Sequence, residues 1–556
     1  MHTPRNQYAI FFVLCLLTML PNFYFVATGI DSALFTPLKK SVFLLYTLAL
    51  ICLPTLIFRP KIIFLLYSPF IPLMVIDLFT IATTKSASTS SHYYAVYATN
   101  INEAIELFTG NLLGSICIVI YLIVYLLLLY YLNYTFKFQT TIRRVLGAFF
   151  FLLVFALFVR DFKIASSTKD TINFDGAKYH FFIKLNKTYP YGSLSKLYDT
   201  YGQVQDLLSF TSKMTDFDYG VTSFAKDENT IVLVIGETAR KANFELYGYN
   251  RNTNPLLKSE TNLIPFTEVT TCANYTYSSF VLNMSSTSCE NYSTAYTESG
   301  ICEAFQQSGY KTYWITNQDY YLNSPFKFYS QNADYFLDIS KSLDTYNNDL
   351  SMLPHLEQIL SEKSEEKKFI IIHTIGSHYR YNLRYPSQFS VFKPELDGSM
   401  GVLEKGLHHK EKFVNSYDNT LLLTDYFLSE IIQKLKNHTN PSLMMYASDH
   451  GENLYDDARN LFLHGLANPS KYELEIPFFI WHSDNFNSNT VEKIRKHKNR
   501  KLSTDIIFHS LSSLGGFQTK LHNEKMDLLS DSLVFDQRKF LKADGSVVDA
   551  NAILSK

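Results

Sequence analysis

The sequence predicts a five-helix transmembrane domain followed by an α/β domain with a mostly parallel central sheet, the two joined by a linker with interfacial helices. Three observations predict it. Long apolar segments are confined to residues 1–160, basic residues cluster in alternate short loops between them, and from residue 229 β-branched runs alternate with helical patterns. The expected domains are therefore 1–160, 161–228 and 229–556.

Crossing a bilayer takes about 20 apolar residues, because a helix rises about 1.5 Å per residue through about 30 Å of hydrocarbon. Five segments qualify: 9–30, 41–58, 62–80, 112–132 and the shorter 145–159. Pro21, Pro54, Pro69 and Pro72 fall inside them, which is tolerated where neighbouring groups satisfy the freed carbonyls. Arg5, then Arg59 and Lys61, then Lys137, Arg143 and Arg144 mark cytoplasmic loops, against the smaller opposing signal of Lys39 and Lys40. Five crossings that start inside place the chain after residue 160 outside the cytoplasm. The first span runs on from "MHTPRNQYAIFF" without a small-residue cleavage pattern, so it reads as an anchor. Between the third and fourth spans, "SASTSSHYYAVYATNINEAIELF" begins polar and becomes an amphipathic helix suited to a membrane surface.

Net charge is −1, from 50 basic and 51 acidic residues, which excludes a broad nucleic-acid surface. Cys15, Cys52 and Cys117 lie in apolar segments and read as small buried hydrophobes. Cys272, Cys289 and Cys302 lack the paired spacing of a structural zinc site, so in an oxidising compartment one disulfide among the three is expected, leaving one thiol.

In the outer domain, strands are expected at 230–235, 311–315, 369–373, 443–447 and 477–482, and helices at 294–307, 353–361, 413–435 and 503–514. This alternation indicates a doubly wound sheet. Such sheets bind ligands beyond the carboxyl ends of their strands. "VLVIGETARK" ends a strand in Glu237, "MMYASDHGEN" ends another in Asp449 and His450, and His378 follows a third. Singly, each reads as a capped turn. Jointly, with Gly236 and Gly451 permitting tight turns, they bring carboxylates and an imidazole to one edge, a donor set suited to Zn²⁺ or Mn²⁺. The stretch "TTCANYTYSSF" offers Thr270, Thr271, Thr276, Ser278 and Ser279 as hydroxyls for such an ion to activate, and the pattern does not choose among them.

The stretches "VLVIGETARKANFELYGYNRNTNP", "TCANYT", "GSHYRYNLRYP", "YDNTLLLTDYFLSEII", "ASDHGEN" and "LFLHG" resemble, in order, the motifs of the bacterial lipid phosphoethanolamine transferases. That group includes enzymes modifying lipid A, among them mobile colistin-resistance determinants. The resemblance covers nearly the whole chain. It implies an alkaline phosphatase/sulfatase-like fold facing the periplasm from a bacterial inner membrane. It also implies one Zn²⁺ held by Glu237, Asp449, His450 and the hydroxyl of Thr276, the nucleophile, which stands four residues after Cys272. His378 and His464 match histidines that contact the phosphoryl group or a second zinc, which Glu452 would join.

The activity implied is transfer of phosphoethanolamine from phosphatidylethanolamine to an envelope acceptor, lipid A or another glycan, through a threonine intermediate, by a monomer. Two departures stand out. The family's Pro-Cys pair after the threonine is missing, with Cys289 further along, which puts the disulfide bracing that loop in question. "SHYRY" replaces the family's His-Gly-Pro and brings Arg380 near the phosphoryl or acceptor site. A phosphoglycerol transferase of the lipoteichoic acid synthase type, or a membrane-tethered sulfatase or phosphatase, shares the same anchor and threonine and is the competing reading.

Overall fold

The computed structural model describes residues 4–29, 36–98, 112–167, 185, 187–211, 217–224, 229–318, 325–340, 348–362, 367–397, 407–466, 468–534, 536–542 and 545–555. The chain divides into two compact units, Met1–Gly202 and Gln203–Met400 with Lys405–Lys556.

In the first unit a helix covers each of the five apolar segments. Among the described residues three are long and apolar enough to cross a membrane: Pro37–Ile57, Pro60–Ala82 and Thr140–Arg160. The pair Arg5–Thr18 and Leu20–Thr28, bent by 49°, makes a fourth if it counts as one span, and Ser115–Tyr131 is a shorter apolar helix. The prolines explain the interruptions. Pro21 cannot donate to the Leu17 carbonyl, which accepts from the Tyr121 hydroxyl at 3.2 Å instead. Pro54 likewise frees the Leu50 carbonyl, and Tyr191 donates to it at 3.1 Å. Between the third and fourth segments the helix Ser90–Ala98 is present; residues 99–111 lie outside the described residues. A further helix, Tyr191–Thr211, occupies the expected linker. Its first turns are tied to this unit by Lys196, whose ammonium lies 3.5 Å from buried Asp77.

The second unit is built on a seven-stranded sheet. Its strands are β1 (Thr230–Gly236), β2 (Leu263–Pro265), β3 (Lys311–Thr316), β4 (Tyr335–Asp338), β5 (Lys368–His373), β6 (Ser442–Ser448) and β7 (Phe478–His482). Their order is β2-β7-β6-β1-β5-β3-β4. The sheet is mixed: β6, β1, β5, β3 and β4 pair in parallel, while β7 runs antiparallel to both β6 and β2. Between Asp449-His450 and β7 the chain forms the hairpin Asn453–Leu454 with Phe462–Leu463 and the short helix Lys471–Leu474; among the described residues it makes no long crossover helix there, and β7 returns antiparallel to β6.

Strand β1 is buried along its length because it is central. Ile231 stands between Phe369 of β5 and Leu443 of β6, and the register carries on to Ile235, opposite His373 and Ala447. On that face the sheet packs against Phe280, Val281 and Met284 of the helix Thr276–Met284 and against Phe508 and Leu511 of Ile507–Leu514. Fully burying each such side chain contributes about 1.5–3 kcal/mol. The amphipathic helix Lys410–Lys436 packs on β6. The helix expected at 294–307 is broken at Gly300, whose φ of +89° separates a 3₁₀ segment from Ile301–Gln307.

The end of the linker is bound into this core through Glu298. The Tyr219 hydroxyl donates to its carboxylate at 3.2 Å, and Ser286 donates through its backbone N–H at 2.6 Å and its hydroxyl at 2.9 Å. Burial outweighs these bonds and lifts the Glu298 carboxyl from 4.5 to about 7. A carboxyl raised in this way binds its proton more tightly folded than unfolded, so its contribution is full below pH about 4.5 and is lost as pH rises through about 7. The urea midpoint read by Trp314 and Trp481 fluorescence should therefore fall between pH about 5 and about 8. Glu298→Gln should flatten that slope; an identical slope in the variant would contradict this account.

Candidate active site

Three parallel strands of the sheet deliver the site. β1 ends at Gly236, where a Cβ would lie 2.3 Å from the Tyr446 hydroxyl of β6, so only glycine lets the two strand ends close together. The ladder continues past the strands, Asp449 N–H donating to the Gly236 carbonyl at 2.9 Å. Glu237 and Asp449 thereby leave adjacent strands side by side, both buried. Thr238, held at φ +61°, donates its backbone N–H to Asp449 Oδ1 at 2.9 Å and its hydroxyl to Glu237 Oε1 at 2.6 Å. These two bonds hold the two carboxylates in place beside one another.

His450 Nδ1 lies 2.9 Å from the Gly451 carbonyl, which can only accept, so Nδ1 carries the proton and Nε2 presents its lone pair. That Nε2 is 3.0 Å from Thr276 Oγ1, 3.2 Å from Asp449 Oδ2 and 3.7 Å from Glu237 Oε1. Glu237, Asp449 and His450 each offer a ligand atom within 4.8 Å of the others. Asp449 Oδ2 is buried without a hydrogen bond, and two lone-pair donors face one another there.

Burial, then the neighbouring Asp449 charge, pushes the Glu237 carboxyl well above its ordinary value; burial lifts Asp449 to about 7. Burial, with His464 adding, lowers His450 to about 4. A cation drawn among these atoms would satisfy all three groups, so the residues present fit a divalent metal.

Thr276 opens the helix Thr276–Met284, so its hydroxyl sits at the positive end of the helix dipole, where a phosphoryl group is favoured. The helix and the turn before it are pinned to Asp449 by Ser279 and Thr271, whose hydroxyls both donate to the Asp449 carbonyl at 2.5 Å. Of the five hydroxyls the sequence offered, the structure brings Thr276 to His450 and turns Thr271 and Ser279 to this bracing.

A second group lies beside the first. His464 Nδ1 is 3.3 Å from Glu452 Oε1, and its ring centroid is 3.9 Å from that of His450. Glu452 Oε2 is buried and unpartnered, and burial pushes this carboxyl up to about 8. Burial, with Arg384, His464 and His450 adding, holds His378 near 3. The His378 loop is set by Asp349, which accepts from Ile375 and Gly376 N–H at 2.9 and 3.0 Å, and by Ser377 N–H on the Glu237 carbonyl at 3.0 Å. Arg380 lies two residues further along this loop, half-buried.

The expected disulfide is not formed. Cys272, Cys289 and Cys302 are buried thiols. Cys272 and Cys289 share a small cluster with Leu282 and Leu541, whereas Cys302 lies in the main core on another helix.

Two site residues escaped the sequence reading. Gln318 donates to Glu237 Oε2 at 3.1 Å and to the Thr374 carbonyl at 3.0 Å. It lies just past the end of β3, so the rule that found Glu237 would have found it. Arg240 donates to the Glu452 carbonyl at 3.0 Å and pairs with Asp456 at 2.6 Å.

The sulfatase family model matches residues 229–517, more than half of the chain. Phosphoethanolamine transferase EptC of Escherichia coli (strain K12) is 29% identical over 338 residues, which cover 57% of this chain and 57% of that protein. The match thus spans little more than half of that relative's length. The integral membrane protein lipooligosaccharide phosphoethanolamine transferase A (EptA) from Neisseria meningitidis is similar in fold, with a TM-score of 0.74 at 22% identity over 94% of this chain and 97% of that one. The C-terminal periplasmic domain of EptC from Escherichia coli, in complex with Zn, has a TM-score of 0.55 at 24% identity over 61% and 97%.

If Glu237, Asp449 and His450 hold a metal, Asp449→Asn keeps the shape but removes a charge. Divalent metal in the purified protein should fall by at least about tenfold in elemental analysis, the scale on which even an outer hydrogen-bond partner matters. Unchanged metal content would contradict the assignment.

Proposed function

Because the chain belongs to the sulfatase family and, among its members, fits the lipid phosphoethanolamine transferases, we propose that it moves phosphoethanolamine from phosphatidylethanolamine to an envelope acceptor such as lipid A, lipooligosaccharide core or another glycan. The observation that carries this reading is Thr276 Oγ1 at 3.0 Å from His450 Nε2 at the start of a helix, beside two buried carboxylates.

In this reading Glu237, Asp449, His450 and Thr276 hold one zinc ion, and His378, His464 and Glu452 contact the phosphoryl group or hold a second. Zinc supplies positive charge that lowers the pKa of a hydroxyl and offsets charge on phosphoryl oxygens. Thr276 gives its hydroxyl proton to solvent as its Oγ attacks phosphorus, the bond to the diacylglycerol oxygen breaks and that oxygen takes up a proton from solvent, and a phosphoethanolamine ester on Thr276 remains. The acceptor oxygen then attacks the same phosphorus, and Thr276 is released. The positive end of the Thr276 helix steadies the oxygens that gain charge, and such electrostatic positioning supplies most of the rate in phosphoryl transfer. Burial holds His378 and His464 neutral, so each would offer an N–H to a phosphoryl oxygen or a lone pair to a second ion. Arg380 is assigned to an anionic acceptor or phosphate contact.

A phospholipid donor gives the apolar unit its purpose. We place the protein in a bacterial inner membrane as a monomer crossing five times, with its N-terminus cytoplasmic and its second unit periplasmic, on the loop charges of Arg5, Arg59, Lys61, Lys137, Arg143 and Arg144.

Intact-protein mass spectrometry of the full chain incubated with phosphatidylethanolamine should detect a phosphoethanolamine adduct on Thr276. Thr276→Ala should lose the adduct and all transfer while staying folded. A phosphoglycerol adduct in the wild type, or retained transfer in Thr276→Ala, would overturn the reading.

A further inference from the structure

We propose that Glu473 is a positioning residue that holds three loops of the active site in one register: the turn before Thr276, the segment after Glu452 and the segment after His464. The proposal rests on the transferase reading above.

The Glu473 carboxylate is fully buried and, among the described residues, makes no ion pair with a Lys or Arg. Each of its oxygens instead accepts one side-chain amide and one backbone N–H. Oε2 accepts from Asn274 Nδ2 at 2.6 Å and Leu466 N at 3.2 Å. Oε1 accepts from Asn453 Nδ2 at 2.9 Å and Ser470 N at 3.1 Å. Asn274 stands two residues before Thr276, Asn453 directly follows Glu452, and Leu466 stands two residues after His464. The backbone takes part too: the Glu473 carbonyl accepts from Gly451 N–H, next to His450, at 2.8 Å. The approach is close, because a Cβ on Gly451 would lie 2.0 Å from the Tyr472 carbonyl.

Helix capping explains only one of these bonds. Glu473 closes a capping box with Ser470 over the short helix Lys471–Leu474, a role usually met at the surface by a side chain with a single backbone partner. Burying a carboxylate is costly unless its lone pairs are filled, and three of the four donors here come from elsewhere. Those donors belong to segments whose side chains must converge on one phosphorus. Asn274 sits in the Cys-to-Thr turn, so this bond braces the turn that leads into Thr276.

Glu473→Gln is the same size but turns an N–H₂ toward two of the four donors, and a misplacement of about 1 Å can cost about 100-fold in rate. The test compares diacylglycerol release from labelled phosphatidylethanolamine by the full-length wild type, Glu473→Gln, Asn274→Ala and the double variant, alongside zinc content and thermal unfolding. The expected result is a fall in kcat of about 10- to 100-fold for Glu473→Gln, with KM within about twofold and zinc and cooperative unfolding retained. Asn274→Ala should lower kcat by a smaller factor, and the double variant should be no slower than Glu473→Gln alone, since both remove one interaction. An unchanged kcat in folded Glu473→Gln, a loss that merely tracks zinc or folded fraction, or effects that multiply in the double variant would each overturn the proposal. If Glu473→Gln does not fold, an unchanged kcat in Asn274→Ala overturns it. A wild type that releases no diacylglycerol at all overturns the transferase reading, and this proposal with it.

Discussion

Two carboxylates buried against one another are the constraint on which the second unit depends. Glu237 and Asp449 leave adjacent parallel strands at the same level, and among the described residues neither makes an ion pair with a Lys or Arg. The titratable group beside them is His450, which burial keeps neutral near pH 7. A protein that surrounds such a pair with apolar strands has either to protonate it or to hold a cation there. The hydrogen bonds around the pair favour the cation. Thr238 occupies Asp449 Oδ1 and Glu237 Oε1, Gln318 occupies Glu237 Oε2, and Asp449 Oδ2 is left facing the His450 lone pair.

The surrounding architecture serves that pair. Parallel β1, β5 and β6 bring Glu237, the His378 loop and Asp449-His450 to one edge, and the Thr276 helix is fastened to the Asp449 carbonyl by two hydroxyls. The close packing at Gly236, at Gly376 with its φ of +47°, and at Gly451 lets backbones meet at distances a side chain would forbid. Rigid loops of this kind suit chemistry whose main demand is placement of charge around phosphorus.

Much of this could be read in the sequence, for identifiable reasons. A buried strand is an uninterrupted apolar run, so β1, β5 and β6 announced themselves, and site residues follow them: Glu237 directly after β1, Asp449 and His450 directly after β6, and His378 five residues after β5. Edge strands gave no such signal. β2 and β4 are short and partly exposed, and the antiparallel course of β7 leaves no mark in its own composition. His464 and Glu452 were reached only through the family resemblance, because they lie on a short hairpin, Asn453–Leu454 with Phe462–Leu463, that has no period to detect. For Glu473 the sequence carries only its capping pattern with Ser470, since its other three partners, Asn274, Asn453 and Leu466, meet it only in space. Which cysteines adjoin could be seen only in space: Cys272 and Cys289 share one small cluster, and Cys302 lies in the main core. In the first unit the 49° bend between Arg5–Thr18 and Leu20–Thr28 falls beside Pro21, and the Tyr121 and Tyr191 hydroxyls that fill the carbonyls freed by Pro21 and Pro54 could be found only in three dimensions.

The central claim is that Glu237, Asp449, His450 and Thr276 enclose one divalent ion. Anomalous diffraction at the zinc absorption edge, from crystals of the whole chain grown with zinc, tests it most directly. The account predicts a peak bounded by these four side chains, with the Thr276 hydroxyl turned toward it. A map with no peak there, or a peak from which Thr276 points away into a separate pocket, would contradict it.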